Sequence, residues 1–344
     1  MIKPINGVEV VVTGAAGHVG GVLVRALLAQ GRVVRALVHQ DRRALEGLNI
    51  EIVKGDVCDP ASLRRAFTGA DVVYHTAARI SLLTSDWPLV EAINITGTRN
   101  VVEACQECGV RRLIHLSSIH AFTKEPLDVP VDESRQLVES LHAPPYDRSK
   151  AAGERLVREA IERGLDAVIL NPTAIIGPFD YCPSHMGQML LALARGRMPA
   201  LTPGGFDWVD VRDVAQTALR AEECAPAGAR YLLSGHWVSA RDLAAIVEKI
   251  TGVPAPHLVS PMWLARLGAP FSTALAQLNG HRPLYTSVSL EALRSNHNIS
   301  HARASRELGY QPRPFQDTLV DTLHWFQEAG QLTRPLASHS QETS

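Results

Sequence analysis

From residue 8 to about 171 the chain alternates short runs rich in β-branched residues with amphipathic stretches, and this alternation limits the fold more than any other feature. The runs "VEVVV", "VVRALV", "IEIV", "DVVYH", "RRLIHLSS" and "DAVILN" read as strands. Between them lie helical patterns such as "VGGVLVRALLAQ", closed by Gly31, and "DPASLRRAF", opened by Asp59 and a proline. Repetition of this kind predicts an α/β fold with a doubly wound parallel sheet over residues 1–172. After residue 172 proline and glycine become frequent and helical patterns dominate, predicting a smaller, mostly helical lobe over 173–330. A helix and a strand within 209–234, the latter in "GARYLLSG", are expected to return to the main sheet. The polar tail 333–344 is expected to be disordered.

Directly after the first strand stands "TGAAGHVGG", with Gly14, Gly17 and Gly20 opening a helix. Glycines so placed allow a tight turn and let backbone N–H groups approach a pyrophosphate, whose charge the helix N-terminus favours. The first domain is therefore expected to be a Rossmann-type dinucleotide-binding domain, with Thr13, His18 and Val19 beside the glycines at the phosphates. An NAD site usually ends its second strand with Asp or Glu, which holds the ribose hydroxyls. Here "ALVHQDRR" puts His39 at that place, with Arg42 and Arg43 beyond it. Arginine pairs with a 2′-phosphate that an acid would repel, so NADP is favoured over NAD; Asp41 argues the other way if the register moves by two. Asp56, in "KGDVCDP", is placed to accept a hydrogen bond from adenine, next to Val57, while Asp59 fits a helix N-cap.

The formal net charge is −1 and no basic stripe appears, which predicts small-molecule ligands and no nucleic acid. The first residues lack a basic leader and a cleavage site, and five cysteines at irregular spacing fit a reducing, cytoplasmic setting. Cys105 and Cys108 sit within a helical pattern with no second pair, so no metal is expected. Arg266 and Pro270 interrupt the apolar stretch 260–280, which argues against a membrane span and leaves surface association open.

In "PPYDRSK" Tyr146 precedes Lys150 by one helical turn. A phenol is a poor acid or base near neutrality unless a cation favours its ionised form, and a lysine at i+4 shares its helix face. Ser118 ends the fifth strand, at the sheet edge where open α/β sheets bind ligands, and is positioned to hold a carbonyl oxygen beside Tyr146.

With these residues the chain resembles the extended short-chain dehydrogenase/reductases, the superfamily of NAD-dependent epimerases and dehydratases. The motifs are T-G-x-x-G-x-x-G at 13–20, "VVYHTAA" at 72–78, "NITGT" at 94–98, "LSS" at 116–118, Y-x-x-x-K at 146–150 and "NPTAIIGP" at 171–178. The resemblance implies that Tyr146 is the acid–base residue, that Lys150 tunes it and holds the nicotinamide ribose, and that Ser118 positions substrate. It implies cofactor contacts at Thr76, Ala77, Ala78, Asn171, Pro172 and Thr173. Asn94 is implied in a proton relay, with a helix-packing amide as the alternative. Thr123 stands where the family usually has glycine.

Relatives acting on nucleotide sugars carry an arginine where "GFDWVDVRD" has Phe206, so a nucleotide sugar is disfavoured unless Arg212 or Arg282 substitutes. Dehydratases carry an Asp-Glu pair where Ile119 and His120 follow Ser118. Arg79, Ser81, His120, Phe179, Phe206 and Trp208 are the candidate substrate residues, giving an apolar or aromatic site, with a structural role as the alternative for His120. "PMWLARL" and "LGYQP" resemble the dihydroflavonol 4-reductase-like and 3β-hydroxysteroid dehydrogenase-like branches. The resulting expectation is an NADPH-dependent reductase of a ketone or aldehyde on a hydrophobic scaffold. A nucleotide-sugar epimerase and a non-catalytic dinucleotide sensor are the alternatives. The resemblance also implies a homodimer, formed through helices within 86–108 and 146–163.

Overall fold

The computed structural model describes residues 9–81, 83–268, 287–294, 296–333 and 336. Arg282, the stretch 269–280 and most of the tail expected to be disordered lie outside them.

The β-branched runs form β1 (Val10–Thr13), β2 (Val34–Val38), β3 (Glu51–Lys54), β4 (Val72–His75), β5 (Arg112–Leu116) and β6 (Ala167–Pro172). Every residue of β1, β4 and β6 is buried, as strands covered on both faces require. After β7 (Ala174–Ile176) and β8 (Gly205–Asp210) the chain adds β9 (Arg230–Leu233), which pairs in parallel with β6 and completes a seven-stranded sheet. Its order is β3-β2-β1-β4-β5-β6-β9, so the chain reverses direction across the sheet between β1 and β4. A crevice opens at such a switch point, outside the carboxyl ends of the strands.

Alternate strand residues face opposite layers. Val10, Val12, Ile114 and Leu170 pack with α1 (His18–Ala29) and α7 (Val211–Cys224) on one side. Val11, Val73, Leu113 and Ile169 pack on the other with α2 (Pro60–Phe67), α4 (Gly97–Glu107) and α5 (Pro145–Glu162), α3 (Trp87–Glu91) lying just before α4. In the lobe, β8 lies between β7, parallel to it, and the antiparallel β10 (His236–Ser239). The core of the lobe joins Trp208, Leu190 of α6 (His185–Ala194), Val247 of α8 (Ala240–Thr251), and Leu319 and Phe326 of the helix Phe315–Glu328. Ala304 and Leu308, late in the chain, pack instead against the α1 and α7 layer of the main sheet. Among the described residues no helix is long and apolar enough to cross a membrane.

Candidate active site

The glycine turn is shaped by close approach. Gly14 has φ +66°, and a Cβ there would lie 2.6 Å from the Ala77 nitrogen. A Cβ on Gly20, which is buried, would lie 2.2 Å from the Gly14 oxygen, so β1, its turn and α1 are drawn together. Gly17 is the N-cap of α1 and supplies no side-chain acceptor, leaving the first-turn N–H groups of α1 without a capping side chain. Gly17 itself lines a cavity of about 510 Å³ together with Gly14, His39, Asp56, Val57, Thr76, Ala77 and Ala78. A small-residue cradle beside an uncapped helix start fits a pyrophosphate. Several expected cofactor residues also serve the frame. The Thr76 hydroxyl donates to the Thr13 carbonyl at 2.7 Å, His18 Nε2 lies 3.0 Å from the Pro178 carbonyl, and Val19 packs on the core.

The Asp41 carboxylate, in the lining of this cavity, is occupied: Arg43 donates to both of its oxygens and the Cys182 thiol to one. Arg42 lies elsewhere, with His39, Gln40 and Lys54 around an adjoining cavity of about 260 Å³. Lys54, at the end of β3, gave no signal in the sequence because nothing there ties it to the end of β2. The β2–β3 register, pairing Val38 with Lys54, brings it in. Asp56 accepts from the Cys58 N–H at 2.9 Å and stands 3.5 Å from His39 Nε2.

Tyr146 occupies the first turn of α5, half-buried, with its phenol near the Ser118 hydroxyl. Burial pushes its phenol up to about 12, against the opposing effect of Ser118 and with a further rise from Asp147. The expected depression by Lys150 is absent, for a geometric reason. The buried Lys150 ammonium donates to the Leu116 carbonyl at 2.8 Å. Burial brings Lys150 itself down to about 8, with Glu154 opposing.

Glu154 was not singled out in the sequence, although 146, 150 and 154 form an i, i+4, i+8 stripe. Fully buried, it accepts from Ser117 at 2.6 Å, Asn171 at 2.7 Å and Arg230 at 2.9 Å. Asn171 also donates to the Ser118 carbonyl at 3.1 Å, so it braces the serine's strand from beneath. Its neighbour Pro172 ends β6, buried. Asn94 lies on a π-helical turn, Ala92–Thr96, and its amide bonds the Arg79 N–H, the Arg79 carbonyl and the Ser149 hydroxyl. Both amide hydrogens have protein partners, and the group clasps the loop after β4 to α5. This geometry fits the packing alternative.

His75, the last residue of β4, is buried. Thr98 donates its hydroxyl to the Asn94 carbonyl, so His75 Nε2 is the donor to Thr98 at 3.1 Å and its Nδ1 accepts from Thr13 at 2.8 Å. Burial, with Lys150 adding to it, lowers His75 to about 3 and keeps it neutral.

On the substrate side, a small cavity begins at Ile119 and His120, directly after Ser118, and is lined also by Lys124, Thr173, Phe206 and Asp207. Asn296 lines both this cavity and a larger one of about 1010 Å³, walled by Trp237, Met262, Trp263, Leu267 and Leu293. His120 and Phe206 are thus brought to the site, and so is Thr173, expected at the cofactor. Three other expected substrate residues do not line these cavities. Trp208 is buried between Phe206 and Phe315 in the lobe core. Phe179 packs under the Arg25 guanidinium and against Trp325. Ser81 donates to Asp86 at 2.6 Å and caps the Leu83 N–H. Arg79 is fixed through its backbone by Asn94 and lines neither cavity. Arg212 is committed to Asp210 and Asp321, at 2.6 and 2.7 Å, and leaves no guanidinium for a substrate pyrophosphate.

Residues 10–232 match the family model described as the NAD dependent epimerase/dehydratase family. The chain belongs to that family. Sterol demethylase protein B of Methylococcus capsulatus is 37% identical over 326 residues, 93% of this chain and 99% of that protein. A putative dihydroflavonol 4-reductase of Synechocystis is 34% identical over 325 residues, 93% of this chain and 94% of that one. The crystal structure of gox2253, 35% identical, superposes with a TM-score of 0.82 over 94% of this chain and 99% of the other. Family membership makes the chain an oxidoreductase-type enzyme of the extended short-chain dehydrogenase/reductases.

Proposed function

We propose that the protein is an NADPH-dependent reductase of a ketone or aldehyde carried on a large hydrophobic scaffold. The observation that carries this reading is the Ser118–Tyr146 hydroxyl pair beside a small cavity that shares Asn296 with a 1010 Å³ apolar one. A phenol held protonated is the donor that a carbonyl oxygen needs as it gains electrons. In this account Ser118 steadies the substrate oxygen, Tyr146 gives it a proton, and Lys150 and the bracing by Glu154 and Asn171 fix their positions. NADPH, when bound, supplies the hydride, its pyrophosphate held at the N-terminus of α1. His39, Arg42 and Lys54 would take the 2′-phosphate, a reading favoured by the pairing of Asp41 with Arg43. The scaffold class is supported by the apolar walls and by relatives named for a sterol and a dihydroflavonol. Phe206 and the commitment of Arg212 speak against a nucleotide sugar. The test follows NADPH absorbance with trans-1-decalone, a dihydroflavonol, a 3-oxosteroid and UDP-glucose. Consumption with a hydrophobic ketone is expected. Conversion of UDP-glucose without net cofactor consumption would overturn the reading in favour of an epimerase.

A further inference from the structure

His120 is held in a way that ketone reduction does not require. Its Nδ1 lies 2.8 Å from the carboxylate of Asp147, the residue after Tyr146, and its ring meets the Tyr146 ring edge-on with centroids 5.4 Å apart. Asp147 is buried, and its second oxygen faces Lys124 at 3.4 Å. Lys124 is shared with Glu291 at 3.6 Å, and Asp207 lines the same cavity as His120 from the opposite sheet. Burial alone would raise Asp147, but His120 and Lys124 hold its carboxyl below the ordinary range. An ionised Asp147 accepts the Nδ1 proton, which leaves Nε2 as the ring's acceptor on a residue that lines the cavity. A carboxylate-backed imidazole next to two hydroxyls that bind one oxygen is the set of groups that proton abstraction beside a carbonyl uses.

We propose that His120 is a general base with a second activity at the same site, exchange of a proton on the carbon α to the bound substrate carbonyl, and that Asp147 is its positioning residue. The proposal rests on the carbonyl-reductase reading. In the step, the Cα–H bond breaks and its proton goes to His120 Nε2. The electron pair forms the enolate double bond, and the carbonyl oxygen takes the negative charge between the Ser118 and Tyr146 hydroxyls. The imidazolium is balanced by Asp147. Return of a proton or deuteron from Nε2 to Cα restores the ketone, with no change of oxidation state.

The experiment incubates the full-length protein with NADP⁺ and trans-1-decalone in D₂O, where no reduction is possible, and follows α-deuteration by mass spectrometry. Reduction of the same ketone is assayed separately with NADPH. Wild type is expected to exchange at least 100-fold faster than buffer. His120→Gln keeps an N–H for Asp147 but has no base, and lowers the ratio of exchange to reduction by about 100-fold or more. Asp147→Asn moves the pH profile of exchange as well as its rate, which a purely structural contact would not do. Fluorescence titration with NADPH confirms that each variant is folded. Decalone reduced but not exchanged, or exchanged equally well by His120→Gln, refutes this inference alone. Decalone neither reduced nor exchanged counts against the proposed function and this inference together.

Discussion

Replacing Lys150 with methionine removes a charge from a site where the protein holds it at a cost. The ammonium is buried, with one hydrogen bond to the Leu116 carbonyl, and burial brings it from 10.5 down to about 8. At about 1.4 kcal/mol per pH unit this is a penalty of about 3 kcal/mol on the charged folded form. Methionine nearly matches the volume and loses the hydrogen bond from a charged donor, worth about 2 kcal/mol, so the variant should be about 1 kcal/mol more stable at pH 7. The sign follows from proton counting. Between about 8 and 10.5 the unfolded chain binds more protons at this position than the folded one, so the lysine's penalty fades as pH rises. The penalty is therefore complete below pH 8 and absent above 10.5. Urea unfolding of both proteins at pH 7 and pH 10 measures the difference, which should be largest at pH 7 and shrink at pH 10. Ketone reduction should be lost in the same variant. A variant less stable than wild type at pH 7, or a difference independent of pH, refutes the reasoning.

Glu154→Gln leaves Arg230 in a buried pair without its counter-charge, and should destabilise the fold by about 3–5 kcal/mol in urea titrations. The same change removes the group that favours the charged form of Lys150, so the high-pH limit of reductase activity should move to lower pH. Arg42→Ala and Lys54→Ala, both exposed, should each weaken NADPH binding about two- to five-fold and leave NADH binding unaltered in fluorescence titrations, with the effect shrinking at high salt. Equal losses for both cofactors would remove these residues from the 2′-phosphate site.

The main sheet was legible because strands buried on both faces need continuous β-branched runs, and the glycine turn because close approach of Gly14 to Ala77 tolerates no Cβ. The three short lobe strands were not legible. "GFDWVD" is a strand because β10 and β7 flank it, a tertiary fact that no local period records. Tyr146 and Lys150 were singled out by spacing and Ser118 by its place at the end of the fifth strand, but the direction of the Lys150 ammonium depends on where β5 ends. That Trp208 and Phe179 pack away from both cavities was not legible, because aromatic character gives no indication of which face a side chain takes. Glu154 was readable as the third member of a helical stripe, whereas its partners Ser117, Asn171 and Arg230 come from three other elements.

The central claim, that Tyr146 delivers the proton in NADPH-dependent reduction of a hydrophobic ketone, is tested most directly by Tyr146→Phe. Turnover of a ketone accepted by the wild type and the NADPH dissociation constant are measured on the same preparations. The account predicts a loss of kcat of at least 100-fold with cofactor binding within two-fold of wild type. Turnover persisting at the wild-type rate, with the cofactor still bound, would contradict it.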